Sequence, residues 1–423
     1  MAEIRAFRGL RFDTEKAGDI GQLACPPYDI ISEVQREAFL SINPHNIIRL
    51  ELPAGENRYE EAGQTLRAWL SSGILRQDDE DALYVYEMGF ESEGQPYAVK
   101  GFITLVKLED FTAGVILPHE ETLSKAKADR FHLMSATHCN FSQIYSLYKD
   151  EEHAVFPVVD AASQGAPDVS FTDADGVAHR LWRVTDADVI TTVVHGCEAK
   201  KLYIADGHHR YETALNYRNH LREQGTPQPG ADYVCMMLVN MENDGLVVLP
   251  THRIVRGLAD FDAQSALTAA AEYFEIVSGT PEVLAPKLVA AYTEKTKSTI
   301  LYTGSNRAHL LTLRDISTME KLLPEKSEAY RGLDVSVLHT LVLERIFGID
   351  RENMANQRNL TYTRDAAEAL AAVDAGQADC AFLLNATRVE EIRDVAAAGE
   401  KMPQKSTYFY PKLTTGLVMN RLY

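Results

Sequence analysis

Four short segments gather the residues best equipped for chemistry, each at the end of an apolar run: His119-Glu120, Asp206–Arg210, Thr251–Arg253 and Lys405–Thr407. The densest is Asp206-Gly207-His208-His209-Arg210. Glycine there lets the backbone turn tightly or approach a ligand. The opening N–H groups of a following helix attract an anion, and two imidazoles and a guanidinium beside them suit phosphate. If the strand ends converge, carboxylates (Glu120, Asp206), imidazoles (His119, His208, His209, His252) and cations (Arg210, Arg253, Lys405) share one pocket. That inventory fits phosphoryl transfer. Cations and helix N–H groups hold the donor phosphates, one carboxylate takes a proton from an acceptor hydroxyl, and the other holds magnesium. A metal-dependent phosphohydrolase is an alternative, but the adjacent rings of His208 and His209 point in different directions and disfavour a shared metal. Neither a P-loop nor a dinucleotide-binding glycine pattern is present.

The elements that must position these groups follow from apolar spacing. Leu202–Ala205 reads as a buried strand, and Tyr211, Ala214 and Leu215 recur as on a helix, so the central segment is strand, turn, helix, with Asp206 as cap. Pro26-Pro27 impose a rigid extended path on Tyr28 and Asp29, which either line a pocket or anchor the turn. Ser32 caps a helix to about Leu40, Asn46–Leu50 reads as a strand, and Tyr59–Ser71 as an amphipathic helix. Leu83–Phe90 and Tyr97–Leu108 form a hairpin, and Val234–Leu238 with Leu246–Leu249 a second. Residues 150–185 read as a variable excursion. Helical spacing dominates at 263–275, 281–295, 335–347 and 364–373, with short strands at 299–303, 308–313 and 380–385. This alternation gives an α/β or mixed α+β class. Three regions are expected: 1–114; 115–258 with an insertion near 150–185; and 259–423, whose tail at 402–418 returns to the site.

The chain has 423 residues and a formal net charge of −19, which disfavours a nucleic-acid partner. No apolar run reaches transmembrane length, and the N-terminal stretch lacks a signal-peptide core, so no membrane partner is expected. Cys25, Cys139, Cys197, Cys235 and Cys380 are scattered and odd in number, as for reduced cytoplasmic core thiols. A homo-oligomer is compatible with all of this.

CPPYDII (25–31), LPHE (117–120), ADGHHRYETAL (205–215), LPTHR (249–253) and MPQKSTYFYPKLTTGLV (402–418) together resemble a bacterial and archaeal family. That family was long a domain of unknown function and is now often called SerK-like. The DGHHR segment also resembles the turn of ParB/sulfiredoxin-like folds, which include archaeal free-serine kinases. The resemblance implies a ParB/sulfiredoxin-like core and phosphorylation of free L-serine to O-phospho-L-serine. The donor would be pyrophosphate or a nucleotide, ADP or ATP, with Mg2+. It implies catalytic roles for Glu120 (base toward the serine hydroxyl), Asp206 and His209, with Asp206 also the metal position. Phosphate binding falls to Gly207, His208, Arg210, His252, Arg253, Lys405, Ser406 and Thr407, and substrate binding to Tyr28, Asp29 and His119. Sulfiredoxins carry a cysteine in the equivalent turn, where this chain has histidines. A ParB-like nucleotide-binding regulator without catalysis is the remaining alternative.

Overall fold

In a computed structural model, which describes residues 2–92, 94–122 and 124–423, the first expected hairpin forms from Leu83–Ser92 (β1) and Gln95–Lys107 (β2). Its registered antiparallel pairs run from Tyr84↔Ile103 to Ser92↔Gln95. Most of β1 and the second half of β2 are buried. A strand covered on both faces is a strand in the middle of a sheet. The neighbours are Ile116–Leu117 (β3), Ile144–Tyr148 (β4), Val169–Thr172 (β5), Ala178–Val184 (β6), Leu202–Asp206 (β7) and Tyr233–Asn240 (β8). Their order is β3-β7-β4-β8-β2-β1-β6-β5, and Ile4–Arg5 pairs along β2 to complete nine strands. β7 runs parallel to β3, and β4 parallel to β8, while the remaining neighbours are antiparallel. The architecture is mixed α/β.

Where three consecutive regions are expected, the chain packs as two units. The first comprises Met1–Pro118, Thr122–Val247 and Pro411–Tyr423, and the second His119–Glu121 and Val248–Tyr410. The physical reason lies in the first core. Val85 and Phe102 of the hairpin, Trp182 of β6, Ile204 of β7, Met236 of β8 and Tyr211 of the helix that follows β7 belong to one buried cluster. No boundary can fall at residue 114 without cutting it. Residues 150–185, expected as an excursion, supply β5 and β6, and β6 pairs with β1 over seven positions from Ala178↔Gly89 to Val184↔Leu83.

Two strand expectations are corrected. Asn46–Leu50 is not a strand; Ile48–Glu51 (α1) is a short helix. Asn46 turns the chain there: its Oδ1 accepts from Ile48 N at 2.9 Å, and its amide donates to the carbonyls of Gln22 and Ala24. The second hairpin is absent, because β8 pairs with β2 and β4, while Leu249 N donates to Tyr408 O. Helices at Arg58–Ser72 and His208–Glu223 (α3) stand where the apolar spacing puts them, and a further helix spans Ser124–Thr137 (α2).

The second unit is built on a six-stranded sheet of His252–Val255 (β9), Phe274–Gly279 (β10), Ser298–Tyr302 (β11), Ala308–Leu313 (β12), Leu360–Thr363 (β13) and Cys380–Leu383 (β14). The order is β10-β12-β11-β14-β9-β13. Leu284, Leu288, Ile300, Leu310, Ala369 and Leu383 belong to its core. β10, β13 and a helix at Val389–Ala397 escaped the apolar-pattern reading. The helix expected at 335–347 divides into one α turn, Asp334–Val337 (α4), and a π-helix, Leu338–Glu344. All five cysteines are buried and unbridged. Among the described residues no helix is long and apolar enough to cross a membrane.

Candidate functional site

In the first unit, β7 delivers the central turn. Leu202, Tyr203, Ile204 and Ala205 are buried, and Asp206 ends the strand. Gly207 follows with φ +92° and ψ 26°, a left-handed conformation open to glycine. A Cβ at Gly207 would also sit 3.0 Å from Cζ and Nε of Arg210. The guanidinium folds back over the turn and leaves no room for a side chain.

Asp206 does not cap α3, as the sequence suggested; the helix starts without a side-chain cap. Its carboxylate instead holds two cations. Oδ2 accepts from Arg210 and Oδ1 from Lys412. Arg210 also donates to the carbonyl of Gln143. Burial alone would raise the Asp206 carboxyl. Lys412 and Arg210, with His208, outweigh burial and hold it well below the usual carboxylate range. Burial would lower the Arg210 guanidinium, but Asp206 and Asp29 reverse the effect and raise it. With both oxygens engaged by cations, Asp206 does not fit the metal-ligand role expected of it. Among the described residues no cluster of three or more His, Cys, Asp or Glu side chains could hold a metal ion.

Behind the turn lies a buried ionic layer. Arg130 of α2 donates to Glu51 O at 2.6 Å and to Asp129 Oδ2 at 2.6 Å, and its Cζ lies 4.1 Å from the centre of the Tyr28 ring. Ser142 Oγ donates to Glu51 Oε1 at 2.9 Å. Burial pushes the Glu51 carboxyl up, and Arg130 and Arg210 offset this only in part. Burial and Asp29 push the Tyr28 phenol up as well. A cavity of about 40 Å³ is lined by Glu51, Arg130, Ser142, Arg210 and Thr213, room for a water or two. Tyr28 therefore anchors Arg130, while Asp29 stays exposed.

The remaining expected residues fall in the second unit. His119 Nε2 meets Thr407 Oγ1 at 2.9 Å, and Met402 N donates to His119 O at 2.7 Å. Glu120 is half-buried beside them in sequence. Thr251-His252-Arg253 does not end a strand, as its place after an apolar run suggested: His252 and Arg253 open β9, which lies between β13 and β14. His252 Nδ1 accepts from Leu384 N at 3.2 Å. Burial, then Arg253, lowers its pKa to about 4, so His252 is neutral near pH 7 and is not a cationic phosphate ligand. Lys405 has φ +55° and an exposed side chain, and its carbonyl accepts from Arg253 at 3.0 Å. Ser406 Oγ donates to Pro403 O.

The expected site residues thus form two constellations. Tyr28, Asp29, Asp206, Gly207, His208, His209 and Arg210 belong to the first unit, and His119, Glu120, His252, Arg253, Lys405, Ser406 and Thr407 to the second. Sequence reasoning missed Lys412, Glu51 and Arg130. Lys412 lies inside the quoted tail motif, four residues after Tyr408, and its charge was the available signal. Glu51 was hidden by the misread strand.

The sequence profile of a family described as "Protein of unknown function (DUF1015)" matches residues 4–336. Among solved structures the chain is similar to a free serine kinase in complex with AMP, at 13% identity and TM-score 0.34, covering 74% of this chain and 92% of that one. It is also similar to a conserved hypothetical protein from Pyrococcus furiosus, at 14% identity and TM-score 0.35, covering 74% and 95%. A third is SbnI with C-terminal truncation from Staphylococcus aureus, at 12% identity and TM-score 0.36, covering 75% and 87%. A search of curated proteins finds no significant match. Likenesses this distant fix neither substrate nor mechanism.

Proposed function

The chain belongs to this family of unknown function, and we propose that it is a phosphotransferase that moves a phosphoryl group to the hydroxyl of free L-serine, giving O-phospho-L-serine. The observation that carries the reading is the Asp206–Arg210 turn. A 16-residue helix begins there on a left-handed glycine without a side-chain cap, with Arg210 and Lys412 held against it by Asp206. Helix N–H groups and fixed cations are what a transferring phosphate requires. The donor is pyrophosphate or a nucleotide, ADP or ATP. Magnesium enters as part of the metal–phosphate donor, not as a resident ion on Asp206. In the reaction the serine oxygen attacks the terminal phosphorus, the bond to the leaving phosphate or nucleotide breaks, and a carboxylate takes the hydroxyl proton. The motif resemblance gives that last role to Glu120. The buried, unbridged cysteines are in keeping with a reducing cytoplasm.

Phosphorus NMR of the purified protein with magnesium and L-serine, run separately with pyrophosphate, ADP and ATP, tests the reading. A phosphoserine signal with one donor is expected. Orthophosphate without phosphoserine would point to hydrolysis, and no change with any donor would remove the reaction. With an active donor, Glu120→Gln is expected to lower turnover by about 100-fold or more, the usual contribution of a general base. Unchanged turnover in a folded E120Q protein would remove Glu120 from that role.

A further inference from the structure

Glu120 sits in a three-residue excursion of the chain: His119–Glu121 belongs to the second unit, while Pro118 before it and Thr122 after it belong to the first. Backbone pairing secures the upstream foot of the excursion, because β3 lies along β7 with Leu202↔Ile116 and Tyr203↔Leu117 in register. The downstream foot, Thr122, lies between β3 and α2, outside any strand or helix. A side chain holds it instead. Oε2 of Glu212 accepts from the Thr122 hydroxyl at 2.7 Å and from the Lys127 ammonium at 2.7 Å. Glu212 stands on α3, two residues beyond Arg210. Lys127 stands in the first turn of α2, a helix that packs on α3. The Glu212 and Lys127 side chains are only 15% and 25% exposed, so the pair is better shielded than the surface ion pairs that contribute little. The bond from the Thr122 hydroxyl has the short length of a charge-assisted hydrogen bond.

We infer that Glu212 is a positioning residue for phosphoryl transfer: through Thr122 it sets the backbone that carries Glu120, and Lys127 keeps the carboxylate in place. A carboxylate repels phosphate, so Glu212 does not share the phosphate role of nearby Arg210. As an anchor it needs the two donors it has. The consequence is kinetic. A general base must lie within hydrogen-bond reach of the proton it takes, and a misplacement of about 1 Å can cost about 100-fold in rate. With the Thr122 foot released, Glu120 is steered from the upstream side of the chain alone. The catalytic part of this inference rests on the phosphotransfer reading, and the tether itself does not.

Two readouts test it on the full chain, with Thr122→Val, Thr122→Ser and Glu212→Ala beside the wild type. T122V keeps the side-chain shape and loses the donor, whereas T122S keeps the donor. The first readout is hydrogen–deuterium exchange by mass spectrometry, without donor or serine. The peptide over 116–127 is expected to exchange about tenfold faster in T122V and E212A and at the wild-type rate in T122S. The peptide over 233–240, in the middle of the sheet, should stay protected in every variant, and T122V serves alone if E212A loses that protection. The second readout uses an active donor. T122V and E212A are expected to lower kcat about tenfold and to leave the donor KM within about twofold, with T122S close to wild type. The inference is overturned if T122V exchanges as slowly as wild type or T122S as fast as T122V. It is equally overturned if T122V keeps the wild-type kcat, or if the loss falls on the donor KM, where it would belong to phosphate binding. A wild-type protein that makes no phosphoserine would remove the phosphotransfer reading, and the exchange comparison would still decide the tether.

Discussion

The two units handle buried charge in opposite ways. In the first, Asp206 is answered on each oxygen, by Arg210 and by Lys412, and Arg130 is answered by Asp129 and the carbonyl of Glu51. In the second, Arg253 is as deeply buried but among the described residues meets only carbonyl oxygens and an aromatic ring, and Asp334 keeps one oxygen without a donor among them. A paired set of charges is a finished frame that fixes the shape of a turn. An unpaired set leaves the desolvation cost of burial less fully offset. The same residue types therefore carry different meanings, and the difference lies in the partner count rather than in burial.

The strongest way to break this comparison is Asp206→Asn. It leaves Arg210 and Lys412 facing each other without an anion and is expected to destabilise the protein by about 3–5 kcal/mol, as when one member of a buried ion pair is removed. The sign of its pH dependence follows from the lowered carboxyl. Asp206 contributes its stability above the ordinary carboxylate range and loses it as pH falls toward its depressed folded value. Urea unfolding should show the full gap between wild type and D206N at pH 7 and a smaller gap at pH 3. An equal gap at both would sink the ion-pair account.

Asp334→Asn is expected to act in the opposite direction. Burial raises the Asp334 pKa to about 6, so the folded state holds its proton where the unfolded state has released it. Wild-type stability should therefore decline as pH rises through the window from about 4 to about 6, by up to about 3 kcal/mol. D334N should escape that decline and be the more stable protein at pH 8. Melting curves at pH 4 and pH 8 check this, and a variant less stable than wild type at pH 8 would mean that Asp334 already has a full set of partners.

The smallest effect belongs to Gly207→Ala. A side chain at φ +92° costs about 1–2 kcal/mol, and the Cβ would press on the Arg210 guanidinium at 3.0 Å. Loss of phosphoryl transfer should exceed the loss of stability, because the guanidinium is displaced before the fold fails. Activity assays beside denaturant titrations separate the two, and parallel losses would make the glycine purely structural.

Much of the frame was readable from spacing. The 83–107 hairpin, the helix at Arg58–Ser72 and the strand-turn-helix at Leu202–Glu223 each have enough length for the apolar period to show. Short runs failed. NIIRL has the composition of a strand, but a buried asparagine with three hydrogen bonds folds it into a helical turn. β8 looked like half of a hairpin because its true partners, β2 and β4, lie about a hundred residues away. At the site, the Asp206–Arg210 cluster was visible in one stretch of sequence, whereas its second cation comes from residue 412, and no local pattern announces a contact across 206 positions.

That long span also sets an order in time. The ribosome completes the β7 turn, then the whole of Val248–Tyr410, before it makes Lys412 and the remaining stretch of the first unit. A nascent chain therefore carries a half-neutralised turn and an open first core until Pro411–Tyr423 joins it. The last stretch also brings Val418, whose carbonyl accepts from the buried Gln143 amide, and Leu422 of the first core. A chain cut at residue 410 should release a folded second unit attached to an unfinished first one, prone to aggregation and protease attack.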